Sequence, residues 1–74
     1  MSKFYLIIFL CSGLHQECNV TSSKPLEYNS YYKCIQEGYG LSYELLFAET
    51  PKDTIEDYRL FTKFMCKETY VNVI

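Results

Sequence analysis

Apolar positions along this chain are concentrated in two places, and the first is the opening run. Lys3 is followed by eight consecutive apolar residues, Phe4 through Cys11. Successive side chains of a strand point to opposite faces, so the run places Phe4, Leu6, Ile8 and Leu10 on one side and Tyr5, Ile7, Phe9 and Cys11 on the other. Both faces then need covering, as in an interior or interface strand. As a helix the run would span only about 12 Å, where roughly 20 residues are needed to cross a bilayer, so no membrane span is expected. The competing reading makes residues 1–13 a signal segment, with one charge at Lys3 and small residues in Cys11-Ser12-Gly13. Cleavage there would leave three cysteines, an odd number, which favours a retained strand.

The polar stretch 12–24 contains Gly13, ends at Pro25 and predicts a loop with Cys18 at its centre. The second apolar concentration is helical. Tyr31, Cys34, Gly38, Leu41, Leu45 and Ala48 recur at three- and four-residue steps, with Tyr28, Tyr32, Ile35, Tyr39, Tyr43 and Leu46 forming a stripe beside them. This pattern predicts a helix over 27–49 with a wide buried face and with Gln36, Glu37 and Glu44 in water. Gly38 and Gly40 weaken a helix by about 1 kcal/mol each relative to alanine, which implies a closely packed neighbour or a bend.

Thr50-Pro51-Lys52-Asp53 is a stop and restart, with Thr50 as cap and proline in the first turn. Asp53, Glu56 and Asp57 suit the start of a short helix over 52–58. Residues 60–67 are rich in β-formers and predict a strand, which 70–74 would extend or leave frayed. The expected fold is therefore a small single α+β domain over residues 1–74. A two-stranded sheet, with strands near 3–11 and 60–67, packs against one long helix (27–49) and a short helix (52–58).

Composition narrows the function classes. Seven Lys/Arg against nine Asp/Glu give net −2, and the basic residues are scattered, which excludes the concentrated basic surface that nucleic acid requires. The four cysteines, Cys11, Cys18, Cys34 and Cys66, include no C-x-x-C pair, so no metal site is expected. As disulfide candidates they allow three connectivities, and a bridge closing 17 or 33 residues would add roughly 3–4 kcal/mol. If the two strands are parallel, the helices form a crossover, Cys11 meets Cys66 and Cys18 meets Cys34. An antiparallel pair would separate Cys11 from Cys66. In a reducing compartment all four would instead be small apolar side chains.

Read in order, four segments carry a resemblance: the KFYLIIFLCS opening, the Cys18 loop, YYKCIQEGYGLSYELL around Cys34, and FTKFMCKE around Cys66. The order is similar to that of very short four-cysteine proteins of marine bacteriophages, with their C-x-x-x-G-Y helix and final aromatic segment ending in cysteine. Here the middle motif is Cys34-Ile35-Gln36-Glu37-Gly38-Tyr39. The resemblance spans most of the chain and implies a phage-encoded accessory product with one cysteine framework and no assigned catalytic residues.

Catalytic candidates are sparse. His15 stands alone in the loop, Glu56 and Asp57 diverge on a helix, and only Cys66, near Lys63 and Lys67, resembles an activated thiol. No enzyme activity and no cofactor are expected. The favoured function is protein binding to a host protein surface, in the host cytoplasm, with Tyr5, Phe9, Tyr28, Tyr32 and Tyr43 as interface candidates. Tyrosine supplies contact area with a polar tip. Tyr31 and Tyr39 are assigned to the core. Two alternatives stand beside this: a secreted or periplasmic disulfide-stabilised protein, and a self-associating structural component, a homo-oligomer whose sheets join at an edge.

Overall fold

A computed structural model describes residues 2–21 and 26–70. The opening apolar run is a central strand, β1 (Ser2–Ser12), which pairs antiparallel with every other strand. The turn 13–16 folds the chain back into β2 (Glu17–Val20), with Ser12 opposite Glu17 and Cys11 opposite Cys18. Gln16 adopts a left-handed conformation at φ 54°. The Ser12 hydroxyl holds the turn, accepting from the His15 N–H and donating to the Tyr58 carbonyl 2.7 Å away. A third strand, β3 (Leu26–Tyr28), pairs with the other end of β1, Leu26 opposite Leu6 and Tyr28 opposite Phe4.

Ser30 starts helix α1 (Tyr31–Tyr43), its hydroxyl accepting the Lys33 N–H at 3.3 Å. The helix continues as a π-helical segment over Glu44–Ala48, closed by the Glu49 N–H donating to the Glu44 carbonyl. Pro51 precedes α2 (Lys52–Tyr58), which ends at Arg59 in the left-handed region. The chain then returns as β4 (Leu60–Tyr70), antiparallel to β1 from Ser12 opposite Leu60 to Ser2 opposite Tyr70.

The α+β class and the two long strands agree with the sequence, but the sheet has four strands among the described residues rather than two. Part of the expected 12–24 loop is β2, and the first residues of the expected 27–49 helix belong to β3. The helix starts only at Tyr31 because Ser30 caps it, while β3 satisfies backbone groups on the β1 edge that β2 leaves free. Thr50 is not the α2 cap: Pro51 stands there, and the Thr50 hydroxyl donates to the Leu45 carbonyl at 2.8 Å. The end of the loop at Lys24 and Pro25, and the tail 71–74, lie outside the described residues.

Strand direction is a correction as well. A parallel pairing of the two long strands was one arrangement the sequence left open, and they are antiparallel. The short β3 brings the chain back to the Phe4 end of β1 before the helix begins, as the edge-to-face contact of Phe4 with Tyr31 shows (centroids 5.6 Å apart). Helix α1 then runs toward the Ser12 end, where Thr62 donates to the Ser42 carbonyl. From there β4 can only descend antiparallel to β1. The crossover thus joins β3 to β4, which run parallel on either side of β1.

Cysteine pairing follows from this path. Cys11 is bridged to Cys18 across the hairpin, and Cys34 on α1 to Cys66 on β4, in place of the Cys11–Cys66 and Cys18–Cys34 pairs of a parallel arrangement. Sulfur occupies the centre of a thin core. The buried apolar residues are Leu6, Cys11, Cys34 and Leu46, and the two most deeply buried side chains are both bridged cysteines. Cys34, Gly38, Ser42 and Leu46 form the inward line of the helix at four-residue steps; Ser42 belongs to neither expected stripe, Leu46 comes from the second, and of the first stripe Leu41 and Leu45 are half-buried and Ala48 is exposed. Burying Leu6 contributes about 1.5–3 kcal/mol; few other side chains contribute as much.

Candidate functional site

The alternation of β1 and β4 decides which side chains the helix covers. Leu6 stands opposite Cys66 and Ile8 opposite Phe64. Cys66 is bridged to α1, and Phe64 meets Tyr39 edge-to-face at 4.9 Å, so this is the helix side. The intervening residues face away: Lys3, Tyr5, Ile7, Phe9 and Cys11 on β1, and Phe61, Lys63, Met65 and Lys67 on β4. Val20 joins them opposite Phe9, and Glu27 opposite Tyr5. Helix α1 packs on the other side, and at the Ser12 end of this face Cys11 is buried beside its bridge to Cys18.

This open face is apolar with a basic border. Phe61, Met65 and Val20 are 45%, 47% and 56% exposed, and Tyr5, Ile7 and Phe9 are half-buried by their own strand neighbours. Lys63 holds its ammonium over the Phe9 ring, 5.6 Å from the centroid. Lys3 donates to Glu27, and this hydrogen bond, with the Glu27 charge behind it, raises the Lys3 pKa above its ordinary value. Neither Lys63 nor Lys67 has a carboxylate partner among the described residues. On a strand, four residues separate these two ammonium groups by about 13 Å, with Met65 between them.

A second exposed strip runs along the outer side of α1. Tyr32, Tyr39, Tyr43 and Phe47 are each at least 60% exposed, and the rings of Tyr43 and Phe47 lie 4.9 Å apart. Lys33 and Glu37 pair with each other one turn apart, and Glu44, which lies on their line about 100° round the helix from this strip, has no cationic partner among the described residues.

The interface candidates therefore divide. Tyr5 and Phe9 lie on the open sheet face, and Tyr32 and Tyr43 on the helix strip on the opposite side of the molecule. Tyr28 belongs to neither: it is half-buried on the helix side, and burial, followed by the nearby Glu37 charge, raises its phenol pKa. Tyr31 and Tyr39 are corrections, since both are exposed rather than core residues. Sequence reasoning did not name Phe61, Lys63, Met65 or Lys67 as interface residues, and considered the two lysines only as neighbours of Cys66. Their strict alternation of apolar and basic residues, out of phase with Cys66, was the available signal.

Other sites hold less. His15 lies in the hairpin turn with its ring 5.9 Å from that of Tyr58. Cys66 is in a bridge and carries no free thiol, and there are no free cysteines among the described residues. A cavity of ≈ 370 Å³ between the π-helical segment and α2 is lined by Phe47, Thr50, Lys52, Ile55 and Glu56. Among the described residues no group of three or more His, Cys, Asp or Glu side chains converges, and no helix is long and apolar enough to cross a membrane.

Fold and surface together define a small α+β protein, twice bridged, with one sheet face left open. No family model, curated protein or solved structure matches this chain.

Proposed function

We propose that this is a small non-enzymatic binding protein that acts by protein–protein contact through its open sheet face. One observation carries the reading. Phe61 and Met65 are large apolar side chains exposed on a flat surface that also holds Tyr5, Ile7 and Phe9, and no element of the described chain covers it. Contiguous apolar surface rimmed by polar groups is characteristic of interaction sites, and aromatic residues and methionine are enriched within them. A phage-encoded accessory role is the setting that the cysteine and C-x-x-x-G-Y pattern implies.

Photo-crosslinking in the expressing cell tests the reading. Benzoylphenylalanine replaces Phe61 or Met65 in separate proteins, with Asp53 on α2 as the control position. Discrete covalent adducts from positions 61 and 65, and none from 53, are expected. No adduct from the sheet face, or the same adducts from all three positions, would overturn it.

A second reading, an exported disulfide-stabilised protein, is favoured by the two bridges, which form and persist in oxidising compartments. In that setting Ser2–Ser12 would remain on the chain. It pairs with all three other strands and carries Cys11, so its removal would leave β2, β3 and β4 without a common partner. Alkylating thiols before lysis and weighing the intact chain separates the settings: the exported form takes up no alkyl groups.

A further inference from the structure

The open sheet face and the aromatic strip of α1 differ in a way that makes each a fit for the other. We infer that the occupant of the sheet face is a second copy of this chain, seated head to tail, its α1 strip lying on the first copy's sheet. The inference rests on the reading of the sheet face as a contact surface, and adds the identity of what it contacts.

Charge selects this pairing over the symmetric ones. The sheet face carries Lys3, Lys63 and Lys67 against the single carboxylate of Glu27, which Lys3 already engages. On the helix side, Lys33 and Glu37 pair with each other and Arg59 with Glu56. Glu44, Glu49, Asp53 and Asp57 have no cationic partner there among the described residues, against one cation, Lys52, with no carboxylate partner. Sheet against sheet would bring Lys63 and Lys67 of both copies into one interface, and helix against helix would bring together two surfaces that each carry an excess of carboxylates. Like charges brought together at an interface oppose association. Sheet against helix instead sets Lys63 and Lys67 beside a surface carrying Glu44, while Phe61, Met65 and Phe9 meet Tyr39, Tyr43 and Phe47.

Geometry then sets the form of the assembly. Helix α1 lies on one side of the sheet, so its outer strip and the open sheet face are on opposite sides of one molecule. Each copy that fills one surface leaves its other surface free. A heterologous contact of this kind repeats into an open stack unless a rotation closes it.

Sedimentation velocity on the full, bridged chain tests this, over a concentration series at low and at high ionic strength. The expected result is a sedimentation coefficient that climbs past the dimer with concentration and falls with salt. The double variant Lys63→Glu/Lys67→Glu and the single variant Glu44→Lys each associate about tenfold more weakly or worse. Mixed together they recover association and again climb past the dimer as an alternating stack, because both contacts between the two variants set carboxylates against lysines while each variant's contact with itself is like-charged. All three positions are exposed, and near-ultraviolet circular dichroism checks that the variants keep the fold.

Stronger association of the double variant with the unaltered chain than of the unaltered chain with itself would reveal a sheet-to-sheet dimer and overturn the inference. A monomer at every concentration would also overturn it. If position 61 still crosslinks to a different protein, the contact-surface reading survives that result; if it crosslinks to nothing, both fail.

Discussion

Gly38 of α1 faces the ring of Phe64 on β4 so closely that a Cβ at position 38 would overlap the ring carbons. The glycine is there for closeness, since no glycine among the described residues has positive φ. Gly40, two residues on, has nothing within 4 Å of the same construction. The two glycines of α1 therefore make opposite predictions. Gly38→Ala should destabilise by about 1–3 kcal/mol, because overpacking outweighs the gain in helix propensity. Gly40→Ala should stabilise by about 0.5–1 kcal/mol. Urea unfolding with both bridges intact measures each, and Phe64→Leu combined with Gly38→Ala should show less than the sum of the two losses.

The two bridges should contribute unequally. Cys34–Cys66 spans a sequence separation of 32 and Cys11–Cys18 one of 7. Chain entropy assigns about 3.7 kcal/mol to the longer loop and about 2.5 to the shorter. Replacing Cys34 and Cys66 together by alanine should therefore cost about 1 kcal/mol more than replacing Cys11 and Cys18. Chemical unfolding of the two double variants gives the comparison, and non-reducing peptide mapping of the unaltered chain should recover these two pairs and no others.

Ser42 is buried on the inward line of α1 with no hydrogen-bond partner for its hydroxyl. An unpaired buried hydroxyl carries a desolvation cost, and serine is a weaker helix former than alanine. Ser42→Ala should raise stability by about 0.5–1.5 kcal/mol while leaving the Thr62 hydrogen bond to the Ser42 carbonyl in place. A loss of stability in thermal unfolding would show that the hydroxyl has a partner after all.

Alkaline pH should weaken the fold through Tyr28. Its phenol is raised above the ordinary value of 10.0, because burial disfavours the phenolate and the Glu37 charge adds to this. A raised pKa means that the folded chain holds its proton longer than the unfolded chain does. The stabilisation is complete below about pH 10 and is lost as pH rises through the folded value. Lys3, raised by Glu27, has the same sign at the same end of the scale, but its ion pair lies at the surface, where solvent screens it, and contributes little. Tyr28→Phe should flatten the alkaline fall in stability, and phenolate absorbance should lose its last-titrating component.

Much of this fold is legible from local pattern. Eight apolar residues in a row mark β1, the Pro51 restart marks α2, and the β-formers after Arg59 mark β4, because strand alternation and helix capping are properties of a few neighbouring residues. The four cysteines declare a framework, and the lysines and exposed aromatics were visible as types. What only the tertiary structure decided is how these pieces meet. Three residues, Leu26 to Tyr28, bring the chain back along β1 and so make β4 antiparallel, which joins Cys34 to Cys66 and Cys11 to Cys18. Such pairings depend on contacts between residues far apart in sequence, and a three-residue strand carries too little local preference to announce them. The open face has the same origin. The alternation of Phe61, Lys63, Met65 and Lys67 says that they share a side, but only the seat of α1 on the opposite side leaves that side uncovered.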